Sequence, residues 1–364
     1  MRPSTPALPG GCWMRELAQE LLAGEEAWVV GGAVRDELLG REVRDLDIAY
    51  RDPRAAAVAY ARRSGGSPFP LSERHGAWRV ALDEARTVDF TPLRGPIEDD
   101  LATRDFTVNA IAFPLGGGEA VDPYEGRRDL DAKRLRHVSA TIFDDDPLRL
   151  LRAVRFVDQF GFELDGRTEG LIREQADLVG RPSGERIVAE LEQLSAAGLR
   201  LLDRLGLLAP LGGSVADLRD GDSDAIRLAR VFREGLARFP ISNERRGLLR
   251  AVLRAESPRD DSPREIYRFR RATEPWALEA LEFLGATELR DAVDEARRGD
   301  PAEPLLRGDE LGLPPGPEVG RLLARIEEER AAGTISTREE ALDLVRREWP
   351  IGPPTEPPSS SAPT

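Results

Sequence analysis

The sequence predicts an α+β fold, a small mixed β-sheet with intervening helices followed by an all-α remainder. Three observations carry that expectation. Five strand-like runs fall within the first 115 of 364 residues, helical stretches separate some of them, and from Asp145 onward apolar residues recur at helical spacing almost without interruption. At about 100 to 200 residues per domain, the chain holds two or three folded units.

The strands are AWVVGG (27–32), RDLDIAY (44–50), WRVAL (78–82), RTVDFTP (86–92) and VNAIAFPL (108–115), apolar or alternating runs rich in β-formers. GGAVRDELLG (31–40) reads as a Gly-Gly turn opening a short helix that Gly40 ends. Gly116 to Gly118, between an apolar run and EAVDP, form a hairpin turn. The helices include DPLRLLRAVRFVDQFG, GERIVAELEQLS, LRLLDRLGLL, AIRLARVFREGLARF and EVGRLLARIEEER, and strand signals stop there. Loops are expected around PRDDSPRE (258–265) and RGDPAEP (298–304), and the Pro/Ser-rich residues 351–364 are expected to be disordered.

Composition excludes several classes. A single cysteine, Cys12, forms no internal disulfide, which suits a reducing compartment and places the chain in the cytoplasm. No run of about 18 apolar residues exists, and the start lacks the charged-then-apolar pattern of an export signal, so neither membrane insertion nor secretion is expected. With two histidines, His75 and His137, and one cysteine, zinc chemistry has few donors; any metal should be hard and oxygen-bound. The net charge of −14 argues against a polyanionic partner on average. Locally it reverses: residues 226–271 contain 13 arginines against 6 acids, and Lys133 is the only lysine, so positive charge is almost entirely the bidentate kind.

The chemistry concentrates at one place. On a strand, residues i and i+2 face the same way, so Asp45 and Asp47 lie side by side and repel unless a cation sits between them. Mg2+ takes a few carboxylates plus substrate phosphate oxygens. Alone the pair is weak evidence, since most such pairs are solvated strand ends. Gly31 and Gly32, however, let backbone N–H groups approach a phosphate at a helix start, and Arg35 lies one turn into that helix. Further along, Asp144 or Asp145 before Pro147 suits a helix N-cap. Arg149, Arg152 and Arg155 follow at spacings of three and stack a cationic ridge along that helix.

VVGGAVRDELLGREVRDLDI resembles the signature of class II tRNA nucleotidyltransferases and their bacterial poly(A) polymerase relatives. TRDFTVNAIA (103–112) resembles the family's second motif, with Thr103 in place of the first of two arginines. VDPYEGRRDL (121–130), DDPLRLLRAVRF (145–156) and GERIVAELEQL (184–194) resemble the third, fourth and fifth. Asp145 stands where the family usually has glutamate. The resemblance implies a nucleotidyltransferase head at 12–140, a helical neck with the base template at 141–196, a tRNA-binding body at 197–298 and a tail at 299–350.

It also implies an activity: addition of CMP, and AMP, to tRNA 3′ ends from CTP and ATP, with release of pyrophosphate. Asp45 and Asp47 would hold Mg2+, with Asp89 a third metal-side carboxylate. Gly31, Gly32 and Arg35 would hold the triphosphate, and Arg104, Asp105 and Asn109 would contact ribose and triphosphate. Asp146 and Arg149 would read the base edge, with Arg152 and Arg155 assisting. Arg245, Arg246 and Arg250 are the candidate RNA contacts in the arginine-rich stretch. LRGDELGLPPGPEVGRLLARI (306–326) resembles the tail of tRNA-maturing members, which argues against poly(A) synthesis. The paired carboxylates argue against a merely tRNA-binding protein, and two scattered histidines cannot build the phosphohydrolase centre attached to some members. Members that complete CCA carry a flexible loop before the second motif, whereas CC-adding members have it shortened. Here only the 13-residue TPLRGPIEDDLAT connects the strand of Asp89 to Arg104, which implies CC addition with a separate A-adding partner, full CCA addition and A-only addition being the alternatives.

Overall fold

The computed structural model describes residues 13–72, 76–314 and 316–349. Cys12, His75 and the 351–364 segment lie outside the described residues. The chain forms two compact units that divide between Asp220 and Gly221, within the segment 197–298.

The first unit is built on a six-stranded mixed sheet. Its strands are β1 (Ala27–Val30), β2 (Asp45–Tyr50), β3 (Ser67–Ser72), β4 (Ala77–Ala81), β5 (Thr87–Pro92) and β6 (Ala112–Pro114), in the order β3-β4-β5-β2-β1-β6. Only β2 and β5 are parallel. β3 is absent from the sequence reading. Its SPFPLS carries two prolines, which suit an edge position where one row of N–H groups has no partner strand. The run 108–115 is only partly strand: Thr107–Asn109 is a single 3₁₀ turn ahead of β6. After the Gly116–Gly118 turn, Val121 bridges back to Ala112, as a hairpin requires. A two-residue strand, Glu163–Leu164, also pairs with Arg134–Leu135 inside the region expected to be wholly helical.

Alternation along β2 separates two environments. Leu46 and Ile48 are buried on one face, where Phe90 meets Tyr60 of the helix Pro53–Ser64 edge-on at 5.8 Å. The opposite face carries Asp45, Asp47 and then Ala49. Ala49 packs with Val30, Ala110, Ala112, Ile97 and Leu101, the last two from the helix Ile97–Ala102. The catalytic-looking acids thus occupy the uncovered end of a face whose other end is sealed.

The VDPYEGRRDL segment braces this end. Asp122 accepts from the backbone N–H groups of Gly126 and Arg127, starting the helix Gly126–Asp131, and Asp129 accepts from Thr107 Oγ1 at 2.7 Å and from Arg136 Nε at 2.9 Å. Gly126 lies so close to the Thr107–Asn109 turn that a Cβ there would sit 2.1 Å from the Thr107 carbonyl oxygen.

The second unit is helical: Asp224–Phe232, Asn243–Arg254, Pro263–Thr273, Ala277–Leu284, Arg290–Arg298, Pro317–Ala331 and Arg338–Glu348. Ser242, Ser262 and Thr337 cap three of them through their hydroxyls. Arg230 pairs with Asp222 in the interior through two hydrogen bonds of 2.8 and 3.0 Å. A separate apolar cluster gathers Leu306, Leu311, Leu322, Ile326, Ile335 and Leu344.

Because the obstacle at Gly126 is backbone, Gly126→Ala forces the Thr107–Asn109 turn to move. Overpacking of this kind costs about 1 to 3 kcal/mol, so the urea midpoint of this variant should fall with an unchanged slope.

Candidate active site

The strand registers set three acids beside one another. Asp47 of β2 lies directly opposite Asp89 of β5, and Asp89 lies opposite Arg79 of β4. Asp45 lies opposite Thr87, whose hydroxyl donates to Asp45 Oδ1 at 2.7 Å. Asp89 is buried, with both oxygens taken by Arg79 at 2.7 Å each. Asp47 is half-buried, and desolvation pushes its carboxyl up to about 6, with the charges of Asp89 and Asp45 adding to the rise and Arg104 opposing it. Asp45 and Asp47 together offer oxygen-only donors whose mutual repulsion a hard divalent cation relieves, so the residues fit Mg2+ better than a softer metal. Among the described residues no group of three His, Cys, Asp or Glu side chains could hold a metal ion between them.

The Gly31–Gly32 turn lies against this pair. Gly31 has φ 66°, and a Cβ there would stand 3.1 Å from Arg104 Nη1 and 3.2 Å from Asp47 Oδ2. Glycine is therefore needed both for the backbone conformation and for the approach. From the helix Gly32–Leu38, Arg35 turns inward rather than toward open solvent. It donates to Asn109 Oδ1 at 2.9 Å and to both oxygens of Asp36, and lies 4.4 Å from the Phe160 ring centroid. Burial lowers its pKa, and Asp36 works against that shift.

Arg104 donates to Asp100 Oδ2 through Nε and Nη2 at 3.1 and 2.6 Å. Asp105 is the most heavily bonded acid of the site: Asn109 Nδ2 and the Phe106 N–H each donate to Oδ1 at 2.8 Å, and Arg152 donates to Oδ2 at 2.9 and 2.7 Å. Burial alone would raise its carboxyl, but the Arg152 charge and these hydrogen bonds hold it at about 2.

The helix Arg149–Phe160 starts later than its sequence suggests. Asp144 and Asp145 are not its N-cap; they belong to a separate short helix, Ile142–Asp145, and bond instead to Gln175 and Thr141. Pro147 has no N–H to continue the helix Ile142–Asp145, and just beyond that break Asp146 accepts from the Leu148 N–H. The arginine ridge then diverges: Arg149 donates to the Thr103 carbonyl at 2.7 Å, Arg152 to Asp105 and Arg155 to Glu190 at 2.6 Å. Sequence reasoning missed Arg186, from GERIVAELEQL, which donates to both oxygens of Asp146 at 3.2 and 2.7 Å. Its signal was the motif itself, which spacing alone could not connect to Asp146.

One cleft of about 1220 Å3 is lined by every residue expected to serve catalysis or nucleotide binding, from Gly31 to Arg155, together with Arg41, Arg44, Arg79, Arg94 and Arg186. Ten arginines face eight acids there, in a chain whose net charge is −14. Arg245, Arg246 and Arg250 belong to the second unit, on the helix Asn243–Arg254. The local excess of 226–271 is partly neutralised by acids outside it. Arg230 pairs with Asp222, Arg264 with Glu329, Arg268 with Glu328 and Arg270 with Asp300. Arg246 and Arg250 donate to carbonyl oxygens of Ala237 and Arg246.

This arrangement of sheet, paired acids and following helices has known counterparts. A model of the poly(A) polymerase head domain matches residues 27–95 and 77–136. The CC-adding tRNA nucleotidyltransferase of Thermus thermophilus is 35% identical over 87% of this chain and 92% of its own length, and the A-adding tRNA nucleotidyltransferase of Deinococcus radiodurans is 32% identical over 95% and 97%. Among solved structures, the Bacillus stearothermophilus CCA-adding enzyme in complex with CTP superposes with a TM-score of 0.71 at 26% identity, covering 92% of this chain and 96% of that one. The fold is that of a nucleotidyltransferase head with a helical continuation. The chain belongs to the class II tRNA nucleotidyltransferases and is an enzyme of that family.

Asp105 is held ionised in the folded state well below its ordinary value of 3.8, so its stabilisation is complete above about pH 4 and is lost as pH falls toward 2. It amounts to about 2 kcal/mol. Asp105→Asn should be less stable than the parent at pH 7 by at least that amount, and the gap should narrow between about pH 4 and pH 2 in chemical denaturation.

Proposed function

We propose that this enzyme adds CMP to tRNA 3′ ends from CTP, releasing pyrophosphate and stopping at CC, so that a separate A-adding enzyme completes the terminus from ATP. The observation that carries the CC assignment is the connector between β5 and Arg104. Leu93–Pro96 lead directly into the six-residue helix Ile97–Ala102, whose Ile97 and Leu101 are buried in the core. Little chain is left to act as a flexible lever that re-aims the base-reading residues for ATP. CC-adding relatives support the reading although an A-adding relative of similar identity stands beside them, and both full-length relatives favour tRNA over poly(A) synthesis. On this reading the chain divides into head, neck, body and tail at 12–140, 141–196, 197–298 and 299–350, and works in the cytoplasm. No helix of the described residues is long and apolar enough to cross a membrane.

The residues take the following roles. Mg2+ bound by Asp45 and Asp47 would activate the tRNA 3′-hydroxyl and offset charge at the α-phosphate. Asp89 stands beside them as the third acid. Gly31 and Gly32 leave room for the triphosphate next to Asp47, and Arg35 and Arg104 supply positive charge along that wall. Asp105 and Asn109 face the ribose while fixed by Arg152 and Arg35. Asp146 accepts from the exocyclic amine of cytosine, and Arg149 donates to the neighbouring ring and carbonyl acceptors. A uracil would set its carbonyl against the Asp146 carboxylate, which is the source of discrimination. Arg155 holds the template helix through Glu190, and Arg186 aims Asp146. Arg245, Arg246 and Arg250 meet the tRNA backbone.

A purified sample offered tRNA ending in CC with ATP and Mg2+ should add no AMP, while tRNA lacking CC and supplied with CTP should gain two residues. Efficient AMP addition read at single-nucleotide resolution would overturn CC-only synthesis. Asp146→Ala and Arg149→Ala should admit UMP or GMP in the same gel assay, rather than raise the KM for every nucleotide alike. Reversing Arg245, Arg246 and Arg250 to Glu together should flatten the dependence of log tRNA affinity on log salt by about 2 to 3, as three phosphate contacts are lost.

A further inference from the structure

Arg79 belongs to no motif of the sequence reading, yet it makes an ion pair at the cleft that engages both oxygens of one acid. Its Nε and Nη2 meet Asp89 Oδ1 and Oδ2 at 2.7 Å each, a parallel two-point contact that occupies both oxygens of the acid. The pairing is fixed by the sheet. Arg79, Asp89 and Asp47 lie in one row across β4, β5 and β2, with Asp89 the middle position. Asp89 is 6% exposed, and a buried carboxylate without such a partner is strongly disfavoured.

Two consequences follow for a cation in the cleft. All three acids line the cleft, but Asp89 is buried with both oxygens bonded by Arg79, whereas Asp45 is exposed and Asp47 half-buried at the end of β2, with one oxygen of Asp45 taken by the Thr87 hydroxyl. Three carboxylates and one guanidinium also leave two negative charges, which a single divalent ion balances. We propose that Arg79 is a positioning residue that keeps Asp89 off the metal, so that the protein supplies one two-carboxylate cation site made by Asp45 and Asp47. The proposal rests on the reading of Asp45 and Asp47 as metal ligands. Asp89 then acts as the anchor that holds Arg79, and through it a positive charge, beside the site.

Direct binding of Mn2+ to the full chain, followed by electron paramagnetic resonance without nucleotide, tests this. Asp89→Asn keeps the shape of the side chain and should leave the Mn2+ Kd within about threefold of the parent, whereas Asp47→Asn should weaken it by about tenfold or more because a ligand carboxylate is lost. Arg79→Gln should tighten binding about fivefold by removing a neighbouring positive charge and freeing an acid, and the added Asp89→Asn change should cancel the part due to the freed acid. A larger loss in Asp89→Asn, with Asp47→Asn also impaired, makes Asp89 a ligand and overturns the proposal. So does an Arg79→Gln protein that folds, by its circular dichroism, but binds Mn2+ no more tightly. If Arg79→Gln does not fold, Asp89→Asn decides alone. Undiminished binding in Asp47→Asn would instead overturn the metal reading on which the proposal stands.

Discussion

The buried carboxylate of Asp105 is the point on which the cleft is assembled. One of its oxygens takes Asn109 and the Phe106 N–H, the other takes Arg152 from the helix Arg149–Phe160. Asn109 in turn accepts from Arg35, the residue one turn beyond the glycine pair. Sheet, glycine turn and helix are thereby tied through a single ionised group. Phe156 and Phe160 of that helix flank the Arg35 guanidinium at 5.1 and 4.4 Å, so the same contact that aligns the charges also covers them with aromatic surface.

Charge in this protein is organised by position rather than by total. An acidic chain presents a cleft in which arginines outnumber acids, and most of the acids there orient an arginine. Asp36, Asp100, Asp105 and Asp89 fix Arg35, Arg104, Arg152 and Arg79. Held in this way, a guanidinium loses little further freedom when a phosphate arrives. The second unit spends its charge differently, on ion pairs between helices such as those joining Arg264 and Arg268 to Glu329 and Glu328.

On the proposed reading of Arg149, base selection and the connector helix are mechanically linked. Arg149 donates to the carbonyl of Thr103, the residue that closes the helix Ile97–Ala102, and Arg104 turns back to Asp100 within it. A connector whose apolar side is locked by Ile97 and Leu101 gives Arg149 a fixed reference. This suits an active site that reads one base twice better than one that must change its preference between steps.

Much of this was legible in the amino-acid sequence. Period-two alternation placed Asp45 and Asp47 together, the Gly-Gly turn announced a close approach, and five motifs in order pointed to the family that the full-length relatives show. These features are local, set by the few residues around them. Other features came from distant parts of the chain. Arg152 reaches Asp105 across 47 residues and Arg186 reaches Asp146 across 40. The arginine excess of 226–271 proved partly paired with acids at 222, 300, 328 and 329. β3 was hidden by its prolines, and the expected cap at Asp144 or Asp145 gave way to a separate helical turn. The sequence by itself determined which groups carry charge and which local backbone they ride on. Tertiary structure decided which of them meet, because strand register and helix placement bring specific guanidinium and carboxylate groups within hydrogen-bonding distance, and no one-dimensional spacing encodes that choice.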